Sequence, residues 1–524
     1  MFASAVAPTL TATDAYTSAH EQCEHRIAHL RSSEAQQMIH SDLEALLEVE
    51  GREVLRRLLQ AHLDERSPGT VAEPVLGTDG RTHTHQRVQT RHLMTIFGAV
   101  EVTRMGSRSR GTHSLHPLDA ALHLPPERSS HGVRHRVAVE ATQDACDDVV
   151  APVATTTGAH GPKRQAEQLA ARAAQDFEAL YDARRCATPQ EVERTSSVLV
   201  LSVDGKGVPM RPAARREVTR RAAAAQPSPR GHQRKPGARA HTTRMATVAA
   251  VSTIPPWVRT PEEIVGALQP AQAVTPARPR PEAKRVWASL TQPPAEVIHQ
   301  ACEEAERRDP QRTKQWVALV EGAPTQLGLG DAAAGEYGVT LCIVLDLIHV
   351  LQSLWKAAWA LHPAGTPDAE TWVTARLEQL LRGRSPYVAA GMRRSATLRG
   401  LTEEQRAPVD QCANSLLKYA DFLHDDASLA AGFPIATGVI EGACRHLVKD
   451  RMDVTGARWS LDGAEAVLRL RSLWVSGDCE VSWRLHLGQE HQRHHTTHYA
   501  HSKVPRPQPQ PERQSKGAHL RLIK

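Results

Sequence analysis

Residues 197–205 read Ser197-Val198-Leu199-Val200-Leu201-Ser202-Val203-Asp204-Gly205, a valine-rich apolar run that ends in an acid and a glycine. A short continuous run of this kind predicts a strand buried on both faces that delivers a carboxylate at its end. The same device recurs downstream. Gln315–Val320 is followed at once by Glu321, and Thr340–Leu345 by Asp346. A further strand is expected at Ala246–Ser252 and helical patterning at Ala295–Arg308, so strands and helices alternate as in an α/β domain.

Beyond Asp346 the pattern turns helical. Ile348, Leu351, Trp355, Ala358 and Trp359 fall on one face, which predicts that the two tryptophans pack in a core rather than serve as stacking platforms. Helix-like stretches fill Asp368–Arg382, Ser385–Arg394 and Glu403–His424, and the block ends near Gly432. A last helix is expected from about Thr437 to Thr455-Gly456, carrying Glu441. Residues 211–245 are crowded with Arg, Lys, Pro and Gly and predict a mobile basic loop. Upstream, leucines recur at helical spacing from Ser33 to Leu63. Met94 and Ile96, then Val100 and Val102, alternate about Phe97-Gly98 as in a hairpin. Helices are expected at Ser130–Val150 and Lys163–Tyr181.

The chain has 524 residues, enough for about two to four domains. Lys and Arg number 64 against 58 Asp and Glu, a formal charge of +6 that favours a polyanionic partner only weakly. Eight cysteines are scattered with no C-x-x-C pair, the pattern of reduced thiols. No signal-like start and no run of about 18 apolar residues is present, which predicts a soluble, cytoplasmic chain without a membrane partner. P-loop, Rossmann and zinc spacings are missing, and the His-rich end, with His491, His494, His495, His498 and His501, reads as a solvated tail.

Acids at neighbouring strand ends, joined by one on a later helix, are what a two-metal phosphoryl-transfer site requires, because hard divalent ions take oxygen ligands. Taken singly, each strand-ending acid also fits an ordinary turn. On the helix of Glu441, Arg445 and Lys449 follow at i+4 and i+8, a spacing that suits a phosphate backbone as well as a simple salt bridge. His349, one turn after Asp346, could orient a carboxylate, touch a scissile phosphate or merely sit at a helix start. Trp459, after the turn at Gly456, is expected to pack rather than stack on a base.

Three segments carry a resemblance: VLVLSVDGKGVPMRPAARREVTR (198–220), IVLDLIHVLQSLWKAAWAL (343–361) and PIATGVIEGACRHLVKDRMDVTGARWSLDGAEAVLRLRSL (434–473). With FGAVEVTR (97–104), SLHPLDAALHLPPE (114–127), GPKRQAEQLA (161–170) and HYA near residue 500, they closely resemble the Kra-type insertion-sequence transposases. These are a bacterial group related to the Mutator-like DDE transposases. The resemblance implies a ribonuclease H-like core, an Asp, Asp, Glu triad, Mg2+ or Mn2+ as cofactor, and DNA as partner. Asp204 takes the first position and Glu441 the last. The middle acid matches Glu321 in WVALVEG, where relatives carry Asp, while Asp346 and His349 match a D-x-x-H motif. One extra methylene moves both oxygens of Glu321 by more than an ångström, in a site that tolerates about half that. Asp346 therefore stays as the alternative second ligand.

The expectation is a multidomain α/β protein with a ribonuclease H-like mixed sheet. A helical region (1–86) and an accessory, DNA-binding region (87–190) precede the first part of the core (191–347). A helical insertion (348–432), the second part of the core (433–488) and a disordered basic tail (489–524) follow. Candidate catalytic residues are Asp204, Glu321, Glu441, Asp346 and His349, the first three as metal ligands. Arg445, Lys449, Arg451 and Arg458 are expected on DNA. The expected activity is metal-dependent cleavage at transposon ends and strand transfer into target DNA by a homo-oligomer. The alternatives are a non-catalytic DNA-binding relative and a simple nuclease.

Overall fold

Two bodies of secondary structure form, one from Met1–Asp176 with Glu480–Lys524, the other from Phe177–Cys479. The computed structural model describes residues 15–508 except 144–145, 158–162, 187–195, 226–241, 269–277, 437 and 455. No helix of the described residues is long and apolar enough to cross a membrane, and Cys23, Cys186, Cys302, Cys342, Cys412 and Cys444 form no disulfide.

In the first unit, helices Thr17–Leu30 and His40–Arg66 precede the hairpin of β1 (His85–Thr95) and β2 (Gly98–Arg108). Thr95 opposes Gly98, and the Thr95 hydroxyl donates to the Gly98 carbonyl at 2.7 Å, so the reversal falls at Ile96-Phe97. Leu63 of the long helix packs with Leu93, Val100, Val102 and Leu118. Helices His131–Gln143, Cys146–Thr157 and Lys163–Ala173 follow.

The C-terminal stretch corrects the reading from composition. Residues 489–508 are not a disordered tail: the helix Cys479–His494 covers their start, short turns Thr496–His498 and Ala500–Ser502 follow, and Tyr499 is buried among Val75 and Ala120. The charged residues there have partners inside the unit. Glu490 meets Arg134 at 2.8 Å, His486 meets Asp176 at 2.7 Å, and the ring of His495 meets the Leu124 carbonyl at 2.8 Å. Polar composition mimics disorder when the partners lie hundreds of positions away. Residues 509–524 lie outside the described residues.

The second unit is built on five strands: β3 (Val198–Pro209), β4 (Thr243–Ile254), β5 (Glu282–Ser289), β6 (Gln315–Val320) and β7 (Cys342–Leu345). Their order is β5-β4-β3-β6-β7. β5, β4 and β3 run antiparallel, and β6 and β7 run parallel to β3. This is a mixed sheet consistent with a ribonuclease H-like core. β3 is central because its apolar run can be buried on both sides: Leu199 and Leu201 are 0 % exposed. Helix α1 (Pro294–Arg308) packs on β4 and β3, and the Trp287 indole of β5 donates to Gln300 of α1 at 3.2 Å. Burial of an aromatic or aliphatic side chain of this size stabilises by about 1.5–3 kcal/mol.

After α2 (Pro324–Tyr337) and β7 come α3 (Leu347–Leu361), α4 (Pro367–Leu381), α5 (Ser385–Leu398), α6 (Glu403–Lys418) and α7 (Asp425–Ala430). On α3 the buried face is Leu347, Val350, Leu354, Ala357 and Ala358, and Trp359 is 53 % exposed. The tryptophan pair therefore does not lie in the core as periodicity had it. The phase is set by the strand end, because the Leu347 N–H donates to the Ile435 carbonyl at 2.9 Å and draws that residue inward. The chain continues through α8 (Gly438–Ala443), a π-helical turn Cys444–Lys449 and a last short turn Asp450–Met452 to α9 (Leu461–Ser476). Ile440, Leu447, Val448, Met452 and Leu468 close over Val208, Met210, Val248 and Val286.

Two expectations change here. β5 was missed because only Arg285–Ser289 of it is buried. The basic segment holds a helix, Glu217–Ala225, in which Glu217 pairs with Arg220 and with Arg221; residues 226–241 of the expected loop lie outside the described residues.

Candidate active site

Parallel pairing of β3 with β6 sets Ser202 opposite Leu319. Asp204 and Glu321 each lie two residues further along, so the register carries both acids to the same end of the sheet. β6 and β7 pair with Val320 opposite Leu345, and the Asp346 N–H donates to the Val320 carbonyl at 2.8 Å. The ends of β6 and β7 thus converge beside Asp204, which lies in the middle of β3 rather than at its end as expected, because β3 stays paired with β4 as far as Pro209.

Asp204 is held from two sides. Its Oδ1 accepts from the Gly205 N–H at 2.6 Å, and its Oδ2 from the Cys444 thiol at 3.0 Å. Burial pushes the Cys444 thiol up, and the charge of Asp204 and the hydrogen bond to it push it further, so it stays a neutral donor. Lys206, which acts in the opposite sense on that thiol, is two positions beyond Asp204 and so on its face of β3.

Glu321 is half-buried. Burial raises its carboxyl, and the carboxylates of Asp204, Asp346 and Glu441 raise it further, with His349 opposing. The His349 Nδ1 stands 3.7 Å from Glu321 Oε2. The turn after Glu321 is fixed by Gln326, which is 3 % exposed. Its side-chain oxygen accepts from the N–H groups of Glu321 and Ala323 at 2.9 and 3.1 Å, and its amide donates to the Val203 carbonyl at 2.8 Å. Gln326 therefore ties the backbone beside Glu321 to the backbone beside Asp204. Gly322 has φ +96°, and a Cβ there would sit 3.0 Å from the Tyr419 ring. The Tyr419 hydroxyl donates to the Gly322 carbonyl at 2.7 Å.

Asp346 behaves differently. It is 3 % exposed, and its Oδ1 accepts from the Ile348 N–H at 2.7 Å as the N-cap of α3. A capping carboxylate satisfies an otherwise orphaned helix donor. Glu441 is exposed on α8, one turn before Cys444.

The π-helical turn after Glu441 has i→i+5 bonds and displaces carbonyls. The Arg471 guanidinium takes up those of Leu447, at 2.8 Å, and His446. Arg445, Lys449 and Arg458 are exposed. Arg445 Nε is 4.0 Å from Asp450, which also meets the His446 ring at 2.9 Å. Arg451 is 3 % exposed with its guanidinium 4.8 Å from the Trp459 ring centre, so it packs beneath that ring rather than facing solvent. Trp459 packs on the sheet core, as expected, and its indole donates to the Met452 carbonyl at 2.9 Å.

Periodicity found the acids but missed Gln326, Cys444, Lys206 and Tyr419. Cys444 had a signal, the i+3 spacing from Glu441. Gln326 had none, since a buried amide looks like any helix-start glutamine. Among the described residues no three His, Cys, Asp or Glu side chains close into a ready-made metal-ligating group. The carboxylates stand as neighbours on separate elements, all oxygen donors with an excess of negative charge.

No family model and no curated protein sequence matches the chain. Among solved structures, the Drosophila P element transposase strand transfer complex aligns over 72 % of this chain and 82 % of that chain, at 9 % sequence identity and a TM-score of 0.24.

Proposed function

We propose that the chain is a DDE-type DNA transposase of the Kra-type insertion-sequence group, with a ribonuclease H-like core in Phe177–Cys479 and Asp204, Glu321 and Glu441 as its acids. The observation that carries this reading is the register of β3, β6 and β7, which brings Asp204, Glu321 and Asp346 together at one end of the sheet, with burial and the crowded carboxylates raising Glu321. Crowding like charges is costly unless a cation offsets it. Oxygen-only donors fit Mg2+ or Mn2+, and Mg2+ is commonly held by one or two carboxylates together with water and substrate phosphate oxygens, so an open set of neighbours suits it. Asp204, Glu321 and Glu441 would hold the ions, and Asp346, committed to its cap, positions the strand end.

When bound, such ions supply Lewis acidity at the scissile phosphate and a deprotonated nucleophile. The chain's own groups do the rest. Arg445, Lys449 and Arg458 face solvent beyond Glu441 and hold phosphates of the DNA backbone. His349 keeps Glu321 oriented. Gln326 fixes the separation of the strand ends, which matters because misplacement by about an ångström costs about a hundredfold in rate. The reaction is hydrolysis of a phosphodiester to release a 3′-hydroxyl, then attack of that hydroxyl on target DNA, by a homo-oligomer on paired ends.

Glu321 in place of Asp favours one competing reading, a DNA-binding protein without cleavage. Nicking of plasmid DNA in Mg2+ or Mn2+, with Asp204→Asn and Glu441→Gln as variants, separates the two. Metal-dependent nicking lost in both variants, with DNA binding retained, supports a cleaving site, and joining of the cut 3′ end to a second DNA separates the transposase from a simple nuclease. DNA binding without nicking under any condition supports the competitor.

A further inference from the structure

On the face of the sheet that carries Asp204, Ser202 and Val200 of β3 lie across from Ala250 and Ser252 of β4. The apolar cover of that face falls mainly on Val208, Met210, Ala246 and Val248, at the other end of the strands. At the small-residue end it leaves a groove of about 690 Å³, reaching to Glu441.

The walls of the groove are chemically one-sided. Arg278, Arg280 and Lys284, all exposed and within seven positions of one another, line it together with Trp257. Arg259 holds Trp257 in place: its guanidinium lies 4.9 Å from the indole centre and donates to the Trp257 and Phe433 carbonyls. Among the described residues Arg278, Arg280 and Lys284 form no ion pair, and Glu441 is the one carboxylate lining the groove.

We propose that this groove holds a single-stranded nucleic-acid segment beside Glu441, with its phosphates along Arg278, Arg280 and Lys284 and a base against Trp257 and the small-residue floor. The inference deepens the transposase reading and rests on it. A row of cations tracks a backbone, while an aromatic ring accepts any base by stacking, and the two together are how single strands are held without sequence preference. A duplex does not fit: a cavity of this size is of the class that admits a small molecule, whereas the major groove of B-DNA alone is about 12 Å wide. Strand separation next to the cutting carboxylate keeps a severed strand from re-pairing over the site.

The test measures binding of a short fluorescent single-stranded oligonucleotide and of a duplex of the same sequence to the full chain. Arg278→Ala/Arg280→Ala/Lys284→Ala changes only exposed side chains and is expected to weaken the single strand by about tenfold or more near 0.1 M salt. It should also make the salt slope shallower by about two units, from about 0.7 per lost contact. Duplex affinity is expected to stay within about twofold, because screening over about 10 Å limits its reach. Trp257→Ala, checked for folding by circular dichroism, is expected to weaken the single strand by about tenfold through lost stacking. Unchanged single-strand affinity and slope in the triple variant would overturn the proposal, as would an equal loss for the duplex. Wild-type chain that binds duplex but no single strand refutes the groove alone; binding to neither refutes the transposase reading with it.

Discussion

The Cys444 thiol donates to Asp204 Oδ2 at 3.0 Å although the two residues are 240 positions apart. This one contact joins the middle of the central strand to the helical segment that carries Glu441. With burial and the neighbouring carboxylate holding the thiol protonated, Cys444 should resist alkylation at neutral pH while the exposed Cys23 and Cys186 react. Mass spectrometry after brief iodoacetamide treatment reads this directly. Cys444→Ala should reduce nicking by about threefold to tenfold through a loosened Asp204, and Cys444→Ser should restore most of it, since a hydroxyl keeps the donor. Equal activity in the alanine variant would show that the contact does not position the acid.

Gln326 makes three bonds from a buried position. Gln326→Leu leaves the Glu321 and Ala323 donors and the Val203 acceptor without that partner, at about 1–3 kcal/mol for each group that stays buried. A fall in Tm with a much larger fall in nicking is expected. Gly322→Ala should act the same way for a different reason, since φ +96° and the nearby Tyr419 ring both oppose a Cβ. Loss of stability alone, with nicking per folded molecule unchanged, would mean that this turn does not set the site.

Much of the second unit is legible in its residues. Val198–Val203, Gln315–Val320 and the run before Asp346 are apolar enough to force buried strands, and Glu321 and Asp346 follow at the strand ends as expected, whereas β3 runs on past Asp204 to Pro209 because its pairing with β4 continues. β5 was invisible because its first half is exposed and polar. The face of α3 was misplaced because a long-range bond, Leu347 to Ile435, sets its phase. In the first unit, the partners of Glu490 and His495 lie in the helix His131–Gln143 and the segment before it, and no local pattern announces them. Local periodicity encodes burial, and pairing at a distance is read only from the fold.

Asp425 is 1 % exposed with neither carboxylate oxygen hydrogen-bonded, and burial with the adjacent Asp426 raises it to about 7. A carboxyl raised above its unfolded value binds the proton more tightly in the native state. Its stability contribution is full below about pH 4 and is lost as pH rises toward 7 and beyond, by up to about 4 kcal/mol. Asp425→Asn should therefore be more stable than wild type at pH 8 and nearly equal at pH 4, as measured by urea denaturation. A constant difference at both values would contradict the assignment.

The histidines of the first unit titrate with the opposite sign. Burial, aided by neighbouring Arg134 and His491, lowers His123 to about 4 and His131 to about 3, and their rings stand 4.7 Å apart. These are neutral in the native state, so their contribution is present above about pH 6.5 and is lost as pH falls through 4. The His131 Nε2 is buried with no hydrogen-bond partner, and its Nδ1 meets the buried Arg134 guanidinium only at 3.4 Å, where Glu490 already binds that nitrogen at 2.8 Å, so His131→Phe should cost about 1 kcal/mol or less at pH 7 and shift acid unfolding down by about one pH unit. Hydrogen exchange of peptides covering Cys479–His494 follows it. An unchanged midpoint would contradict this.

The central claim is that Asp204 and Glu321 hold a divalent ion while Asp346 serves the fold. Titration of the full chain with Mn2+, followed by electron paramagnetic resonance of the free ion, tests it without requiring turnover. Wild type and Asp346→Asn should bind the ion with similar affinity, and Asp204→Asn and Glu321→Gln should each weaken binding by about tenfold or more, as expected for loss of an oxygen ligand. Mn2+ affinity that survives both Asp204→Asn and Glu321→Gln, or that is lost with Asp346→Asn in a folded protein, would contradict the assignment.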